Sequence, residues 1–302
     1  MRETAKGHEG RPIPPLHPGK EIFMIQDIGP HRLHNEYRAD RKAAPSDPVF
    51  LFKEGNLLVR LRDGSFGLPC AEDLGEEELT YLFSLDEKPC FLARKAPENS
   101  RMEEYTFMDV RGLRREGYGP KEWYFAAVTA FQLSNWYRDN CFCGTCGHRT
   151  VHSKTERALV CPVCGRTIYP RIVPAVIVGV TDGDRILMTK YAGRSIPFYA
   201  LIAGFTEIGE TFEETVAREV MEEVGLKVRN IRYYKSQPWA IADDILAGFY
   251  CDVDGDTTIR LDTSELKEGV WMKREEVILQ PDDYSLTNEM MLMFKEGKEP
   301  RG

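Results

Sequence analysis

The 302-residue chain has no histidine after position 152; its six are His8, His17, His31, His34, His148 and His152. Histidine is the side chain that titrates near neutrality without perturbation, so proton transfer in the second half of the chain falls to carboxylates or metal-bound water. Long apolar runs are missing too. The longest, residues 172–180, holds nine residues including a proline and a glycine, against roughly 20 for a bilayer-spanning helix. The first eighteen residues are polar and proline-rich, without the apolar core of a signal peptide, so the expectation is a cytoplasmic protein with no membrane association. Net positive charge is also absent: the formal charge is −8 and the pI 5.5. That balance argues against broad electrostatic affinity for nucleic acid or anionic membranes. An anionic substrate must be attracted locally, by metal and a few basic residues.

What is present begins at residue 204. Residues 204–226 read GFTEIGETFEETVAREVMEEVGL. Thr211 followed by Glu214 is a capping-box pattern, and Gly225 stands where a left-handed residue ends a helix, which predicts a helix over 212–224. Within it Glu219, Glu222 and Glu223 are spaced i, i+3 and i+4 and converge on one side, while Val216, Val220 and Val224 repeat every four residues on another. Three glutamates so close repel one another unless cations bridge them. Mg²⁺ or Mn²⁺, which favour oxygen donors, would relieve the repulsion and hold a diphosphate. Arg218 supplies one fixed counter-charge, with Glu210 as its expected partner. The bland alternative is a solvated acidic helix with intrahelical ion pairs; the glycines and the spacing argue against it.

A second constellation lies upstream. Cys143-Gly-Thr-Cys146-Gly147 and Cys161-Pro-Val-Cys164-Gly165 are two CxxCG knuckles separated by fourteen residues. Four thiolates in this pattern suit one tetrahedral Zn²⁺, and with all four positions filled by protein the ion is structural. Two disulfides or a redox pair are the rival readings, disfavoured in a reducing compartment. Cys141 lies outside the knuckle pattern and reads as a spare thiol. Cys70 and Cys90 read as buried or idle.

The chain is longer than one domain usually is, and 42% hydrophobic residues suffice for real cores. The expected fold is α+β: an N-terminal β-rich domain over 1–135 that ends in a linking helix, a zinc ribbon over 136–168, and a mixed-sheet sandwich over 169–302. Short apolar segments at 49–52, 57–61 and 105–110 read as strands, with a helical insert near 76–83. Residues 122–139 read as a helix with an apolar stripe of Phe125, Val128, Leu133 and Trp136. A hairpin-like pair at 169–178 and 185–190, strands near 228–234 and 248–253 and a last helix at 286–295 complete the reading.

The 204–226 segment resembles a Nudix hydrolase: Gly204, Glu210, Arg218, Glu219, Val220, Glu222, Glu223, Gly225 and Leu226 fill the fixed positions of the Nudix box. Ser236-Gln237-Pro238-Trp239, separated from Gly225 by ten residues, together with the zinc knuckles, resembles the NADH pyrophosphatase branch. Phe142-Cys-Gly144, Tyr169-Pro-Arg171, residues 201–205, Glu265-Leu266 and Trp271 support the likeness. It spans residue 136 to the C-terminus, and the N-terminal portion joins it by position only. The branch pattern continues Pro-Phe-Pro-x-Ser after the tryptophan, whereas this chain has Ala240-Ile-Ala-Asp-Asp244. That change removes an aromatic at Ile241 and brings negative charge at Asp244.

The resemblance implies hydrolysis of the pyrophosphate of NAD(H), giving NMN(H) and AMP. It implies Glu219, Glu222 and Glu223, the carbonyl of Ala203 and Glu265 as holders of two or three Mg²⁺ or Mn²⁺ ions, with Arg218 in the catalytic set. Glu222, Glu223 and Glu207 stay open as candidates for the base. Phe205, Gln237, Pro238, Trp239, Asp244 and Thr287 form the implied substrate contacts. The alternative for Gln237-Pro-Trp239 is a turn and a core tryptophan. A homodimer is implied as well. Other functions stay open: removal of NAD caps from RNA, helped by Arg111, Arg114 and Arg115, hydrolysis of another nucleoside diphosphate derivative, and a non-catalytic nucleotide-sensing module.

Overall fold

The computed structural model describes residues 24–75, 78–95, 100–115, 117–193, 198–281 and 284–301. Their contacts divide into two units, one of residues 25–174 and 238–245, the other of residues 24, 175–237 and 246–301. No helix among the described residues is long and apolar enough to cross a membrane.

The first unit holds β1 (Leu33–His34), β2 (Val49–Lys53), β3 (Asn56–Arg62), β4 (Ser65–Gly67), β5 (Thr80–Leu85), β6 (Lys88–Ala93) and β7 (Thr106–Asp109), with helices α1 (Ala71–Leu74), α2 (Val110–Arg115) and α3 (Lys121–Asp139). The sheet order is β1-β5-β6-β2-β3-β4, with β7 paired to β3. Two-residue turns fix the register. Lys53 faces Asn56 and Arg62 faces Ser65, and Glu54-Gly55 and Asp63-Gly64 all have positive φ, the geometry of hairpin turns whose twist matches the strands. The expected helical insert near 76–83 is corrected in part: Thr80, Tyr81, Leu82 and Phe83 belong to β5, whose aromatic and β-branched content suits a pleated surface, and residues 76 and 77 lie outside the described set. In α3 the buried set is wider than a stripe: Tyr124, Ala126, Ala127, Val128, Ala130, Leu133, Trp136 and Tyr137.

The helix delivers the chain to three short strands, β8 (Val151–His152), β9 (Leu159–Val160) and β10 (Thr167–Ile168), ordered β10-β9-β8. One face of this ribbon is anchored within the unit. His152 stacks on Tyr137 with ring centroids 4.8 Å apart. The Arg157 guanidinium donates to the carbonyls of Asn35 and Leu82, and the Tyr37 hydroxyl donates to the Ser153 carbonyl.

The second unit contains β12 (Arg185–Tyr191), β13 (Ile202–Phe205), α4 (Phe212–Val224), β16 (Leu266–Lys273) and α5 (Leu286–Lys295), with β11 (Val173–Asp182), β14 (Val228–Trp239) and β15 (Asp244–Val253) except for residues 173–174, 238–239 and 244–245, which group with the first. Its sheet runs β14-β15-β11-β12-β16, with β13 on β11. Side chains alternate across a strand, and β11 shows the consequence. Val176, Val178 and Val180 join the core containing Val216, Val220 and Val224 of α4. Ile177 joins the opposite core, with Leu286, Met290, Met291 and Phe294 of α5. The sheet is thus packed on each face by one helix, and α4 is held by its valines with its glutamate side turned away from that core. Its strands at 228–239 and 244–253 are longer than the sequence pattern suggested.

Candidate functional site

The helix that carries the glutamates is built as its sequence dictates. The Thr211 hydroxyl accepts from the Glu214 amide at 3.2 Å and the Glu214 carboxylate accepts from the Thr211 amide at 2.8 Å, closing the capping box. Gly225 ends the helix at φ 68°. Ahead of it, Gly204 in β13 makes room for the site: a Cβ there would lie 1.9 Å from the Glu219 carboxyl carbon. Only hydrogen at that position lets the strand backbone pass against the carboxylate.

Arg218 is the hub. Its Nε and Nη2 donate to the two Glu210 oxygens at 2.6 and 2.9 Å, Nη2 also donates to the Phe205 carbonyl at 2.9 Å, and Nη1 donates to Glu219 at 2.8 Å and Glu222 at 3.0 Å. The fork engages Glu210 bidentately, the strong form of this pairing. It holds the Glu210 carboxyl well below its usual range, to about 2, and Arg218 itself is raised further above its already high value. Glu219 is the opposite case. Burial pushes it up, and the charges of Glu222 and Glu265 add to the push while Arg218 opposes it. Glu219 and Glu223 are buried and Glu222 is exposed.

These groups fit a divalent cation. The donors are hard carboxylate oxygens, and Glu219 sits in the field of two further carboxylates, a field that a cation would reverse. Among the described residues, only the four cysteines already place their ligand atoms within 4.8 Å of one another. The glutamates are held apart, with Arg218 Nη1 between Glu219 and Glu222.

The cysteines form a closed zinc-ribbon site. Cys143 and Cys164 Sγ are 3.6 Å apart, and Cys146 and Cys161 Sγ 3.5 Å. Zn–S bonds of about 2.3 Å in a tetrahedron put sulfurs about 3.8 Å apart, whereas a disulfide needs about 2.05 Å; the geometry is that of a zinc knuckle pair. The two knuckles are built alike. The Cys143 amide donates to the His148 carbonyl and the Cys161 amide to Arg166, while Gly147 and Gly165, each at φ 74°, close back on Cys143 and Cys161. Cys141 donates instead to the Tyr137 carbonyl and stays out of the cluster.

The implied substrate residues have different fates. Phe205 is exposed beside the Arg218 fork. Gln237 is fully buried, donating to the Tyr284 carbonyl at 2.8 Å and accepting from the Leu286 amide at 2.8 Å; it holds the start of α5 and presents no side-chain atom to solvent. Thr287 lies half-buried in the first turn of that helix. Pro238 and Trp239 are half-buried, and the Arg114 guanidinium lies 5.8 Å from the Trp239 ring centroid. Asp244 is buried, its Oδ1 has no hydrogen-bond partner among the described residues, and burial followed by the Asp243 charge raises its pKa to about 6. Arg111 is exposed; the Arg115 side chain lies outside the described set. Ala203 is paired opposite Ile177, and Glu207 is exposed, its amide donating to Glu210.

Sequence reasoning missed a second polar cluster. Lys190 donates to Glu268 at 2.8 Å, the Tyr199 hydroxyl donates to the same carboxylate at 2.5 Å, and Lys190 Nζ lies 3.9 Å from the Tyr199 ring centroid. Lys190 and Glu268 are direct cross-strand partners of β12 and β16, a register that no local pattern displays.

Comparison with known proteins agrees with this construction. The NUDIX domain family matches residues 170–292, the NADH pyrophosphatase zinc ribbon domain residues 138–169, and the NADH pyrophosphatase-like rudimentary NUDIX domain residues 46–136. The chain is a Nudix-family protein. Within the family it belongs to the NADH pyrophosphatase branch, whose zinc ribbon and rudimentary N-terminal domain it shares. It is 44% identical over 151 residues to the NAD-capped RNA hydrolase NudC of Enterobacter sp. strain 638, covering 50% of this chain and 58% of that protein. To the protein of the same name from Shigella dysenteriae it is 41% identical over 159 residues, covering 52% and 61%. The match thus spans about three fifths of each relative's length. A solved Nudix hydrolase from Nitrosomonas europaea overlays 51% of this chain and 90% of its own, with a TM-score of 0.45 and 20% identity.

Proposed function

We propose that the protein is a metal-dependent diphosphatase that hydrolyses the pyrophosphate of NAD(H), free or as the 5′ cap of an RNA. The carrying observation is the α4 constellation: Glu219, Glu222 and Glu223 lie on one helix side, and Arg218 bonds the first two while holding Glu210 and the Phe205 carbonyl. A binding-only module has no need of three carboxylates held against their mutual repulsion.

Glu219 and Glu223, with Glu222, Glu265 and the Ala203 carbonyl, would hold two or three divalent ions, Mg²⁺ or Mn²⁺. When bound, such ions neutralise a diphosphate and acidify a coordinated water. One of Glu222, Glu223 or Glu207 takes the proton as the water oxygen bonds to phosphorus and the bridging P–O bond breaks. NADH and water then give NMNH and AMP. Arg218 fixes the carboxylates in register, and Phe205 offers an exposed ring against which a base or nicotinamide stacks. Trp239, with its neighbour Pro238, serves the same end; Gln237 supports them indirectly through α5, and Asp244 and Thr287 tune what is accepted. We assign this chemistry to residues 169–302, structural zinc to 136–168 and a supporting role to 1–135, and we place the protein in the cytoplasm as a homodimer, which sedimentation would test.

The direct experiment is turnover of NADH, NAD⁺, ADP-ribose, diadenosine polyphosphates and NAD-capped RNA with Mg²⁺ or Mn²⁺, by the wild type and by Glu223→Gln. Cleavage of NADH or capped RNA to NMN(H)-type products, lost in the variant, supports the reading. Preference for the other substrates would show that residues 240–244 have redirected specificity.

A further inference from the structure

The ribbon has two unlike faces. Cross-strand partners point to the same side of a sheet and residues two apart share a face. Val151 pairs with Val160, which pairs with Thr167. Arg149, two residues before Val151, is bridged to Phe142. Phe142, Arg149, Val151 and Thr167 therefore share one face, and all four are exposed, Phe142 at 59% and Val151 at 51%. The opposite face carries Thr150, His152, Leu159 and Ile168, buried or half-buried against the rest of the unit. Val163 and Arg166 are exposed in the second knuckle, and Arg166 donates to Thr145 of the first at 2.6 Å.

Charge distinguishes this surface from the chain that carries it. Residues 138–172 contain Arg138, Arg149, Lys154, Arg157, Arg166 and Arg171 against Asp139 and Glu156. Even after the two net negative charges of a zinc tetrathiolate are counted, the ribbon is positive within a chain of −8. Arg149, Lys154 and Arg166 make no ion pair with any described carboxylate. Arg171 pairs with Asp243 and Arg138 with Asp139. Glu156 of the ribbon accepts from the Tyr169 hydroxyl.

We propose that the outer face of the ribbon binds single-stranded RNA, with Phe142 stacking on a base and Arg149, Lys154 and Arg166 meeting phosphates. An exposed ring set among unpaired cations is the arrangement that grips single strands without reading sequence. The inference deepens the capped-RNA reading and takes its purpose from it, by giving the RNA body a contact that free NADH lacks. Binding itself is independent of turnover.

The test is fluorescence anisotropy with an uncapped single-stranded RNA and the full, zinc-loaded chain over a salt series. Phe142→Ala should weaken binding about 5-fold or more, as loss of one stacked base does. The double variant Arg149→Gln/Lys154→Gln should lower the slope of log affinity against log salt by about 1.4, for two phosphate contacts on a single strand. Zinc content, thermal midpoint and NADH turnover should stay at wild-type values, which separates a lost contact from a lost fold. Unchanged RNA affinity in both variants overturns the proposal. So does a variant that turns a dimer into a monomer while RNA binding persists, since the face would then be a self-association surface. Absent NADH turnover in the wild type would count against the proposed reaction and leave the binding result standing.

Discussion

Two helices of this chain, α3 in the first unit and α4 in the second, make opposite use of burial. Each packs into its own unit; residues 121–136 of α3 fall in the stretch matched by the rudimentary NUDIX domain, and all of α4 falls in the full NUDIX match over 170–292. Between Glu122 and Asp139, α3 has no carboxylate, and it buries two tyrosines, a tryptophan and four alanine or valine positions in its interior stretch. In α4 burial takes in carboxylates as well as valines: Glu219 and Glu223 are buried beside Val216, Val220 and Val224, and Arg218 bonds Glu219 and the exposed Glu222. A fold retains its packing without its chemistry, because function lives in a handful of side chains grafted on it.

The sharpest way to break this comparison is to neutralise one carboxylate in each helix. Glu223→Gln should reduce turnover by at least about 10²-fold, the scale for losing one group that stabilises transition-state charge. Its thermal midpoint should not fall, since a neutral isostere relieves repulsion in an acidic cluster. Glu122→Gln, whose carboxylate lies 3.6 Å from His31 Nε2, should leave turnover unchanged and shift stability by less than about 1 kcal/mol. Equal losses in the two variants would show that the contrast between the helices is illusory.

Gly204→Ala is next in size. The new methyl meets the Glu219 carboxyl at 1.9 Å, so strand or carboxylate must shift, at a cost of about 1–3 kcal/mol for overpacking. Urea unfolding should report that loss, and turnover should fall with it, by more than Phe205→Ala produces in kcat. Retained wild-type activity would place Glu219 outside the chemistry.

Asp244 sharpens a different contrast, between a carboxylate buried with compensation and one without. Glu210 has the Arg218 fork and is held near 2, whereas Asp244 lacks a partner for Oδ1 and is raised to about 6. A group raised above its ordinary 3.8 stabilises the fold only while protonated, so its cost is absent below about pH 4, grows as pH rises through 6 and is constant above. Asp244→Ser should therefore stabilise the protein at pH 8 by about 1–2 kcal/mol, discounted for partial solvation, with the gain vanishing near pH 4. Equal gains at pH 4 and pH 8 would show that the cost is steric.

Legibility in the sequence followed the range of the interactions. The limits of α4, its caps and the convergence of its glutamates come from contacts within a few residues, and the zinc knuckles from spacing alone. What escaped was non-local. The Lys190–Tyr199–Glu268 cluster depends on the register of β12 against β16, and the structural use of Gln237 depends on a helix that begins 49 residues later. Residues 80–83, where the expected helical insert overlaps β5, hold a short solid apolar run, which periodicity does not resolve into helix or strand. The whole-chain charge of −8 concealed a positive ribbon, because an average over 302 residues says nothing about a segment of 35.

The smallest expected effect tests the clamp itself. Glu210 is depressed to about 2 chiefly through its hydrogen bonds from Arg218. A group depressed below its ordinary 4.5 contributes stability that is present above that pH and lost as pH falls through 2. Arg218→Lys keeps the charge but replaces a planar fork with a point donor, so Glu210 should titrate closer to its ordinary value and the acid limb of unfolding should move to higher pH, with little change at pH 7. The same substitution removes the single nitrogen that bonds Glu219 and Glu222 together. If the fork is what sets the carboxylates in register, activity at pH 7 should fall while stability there does not. If activity and stability fall in parallel, Arg218 acts only as a structural counter-ion, and α4 would differ from α3 in its carboxylates but not in how they are organised.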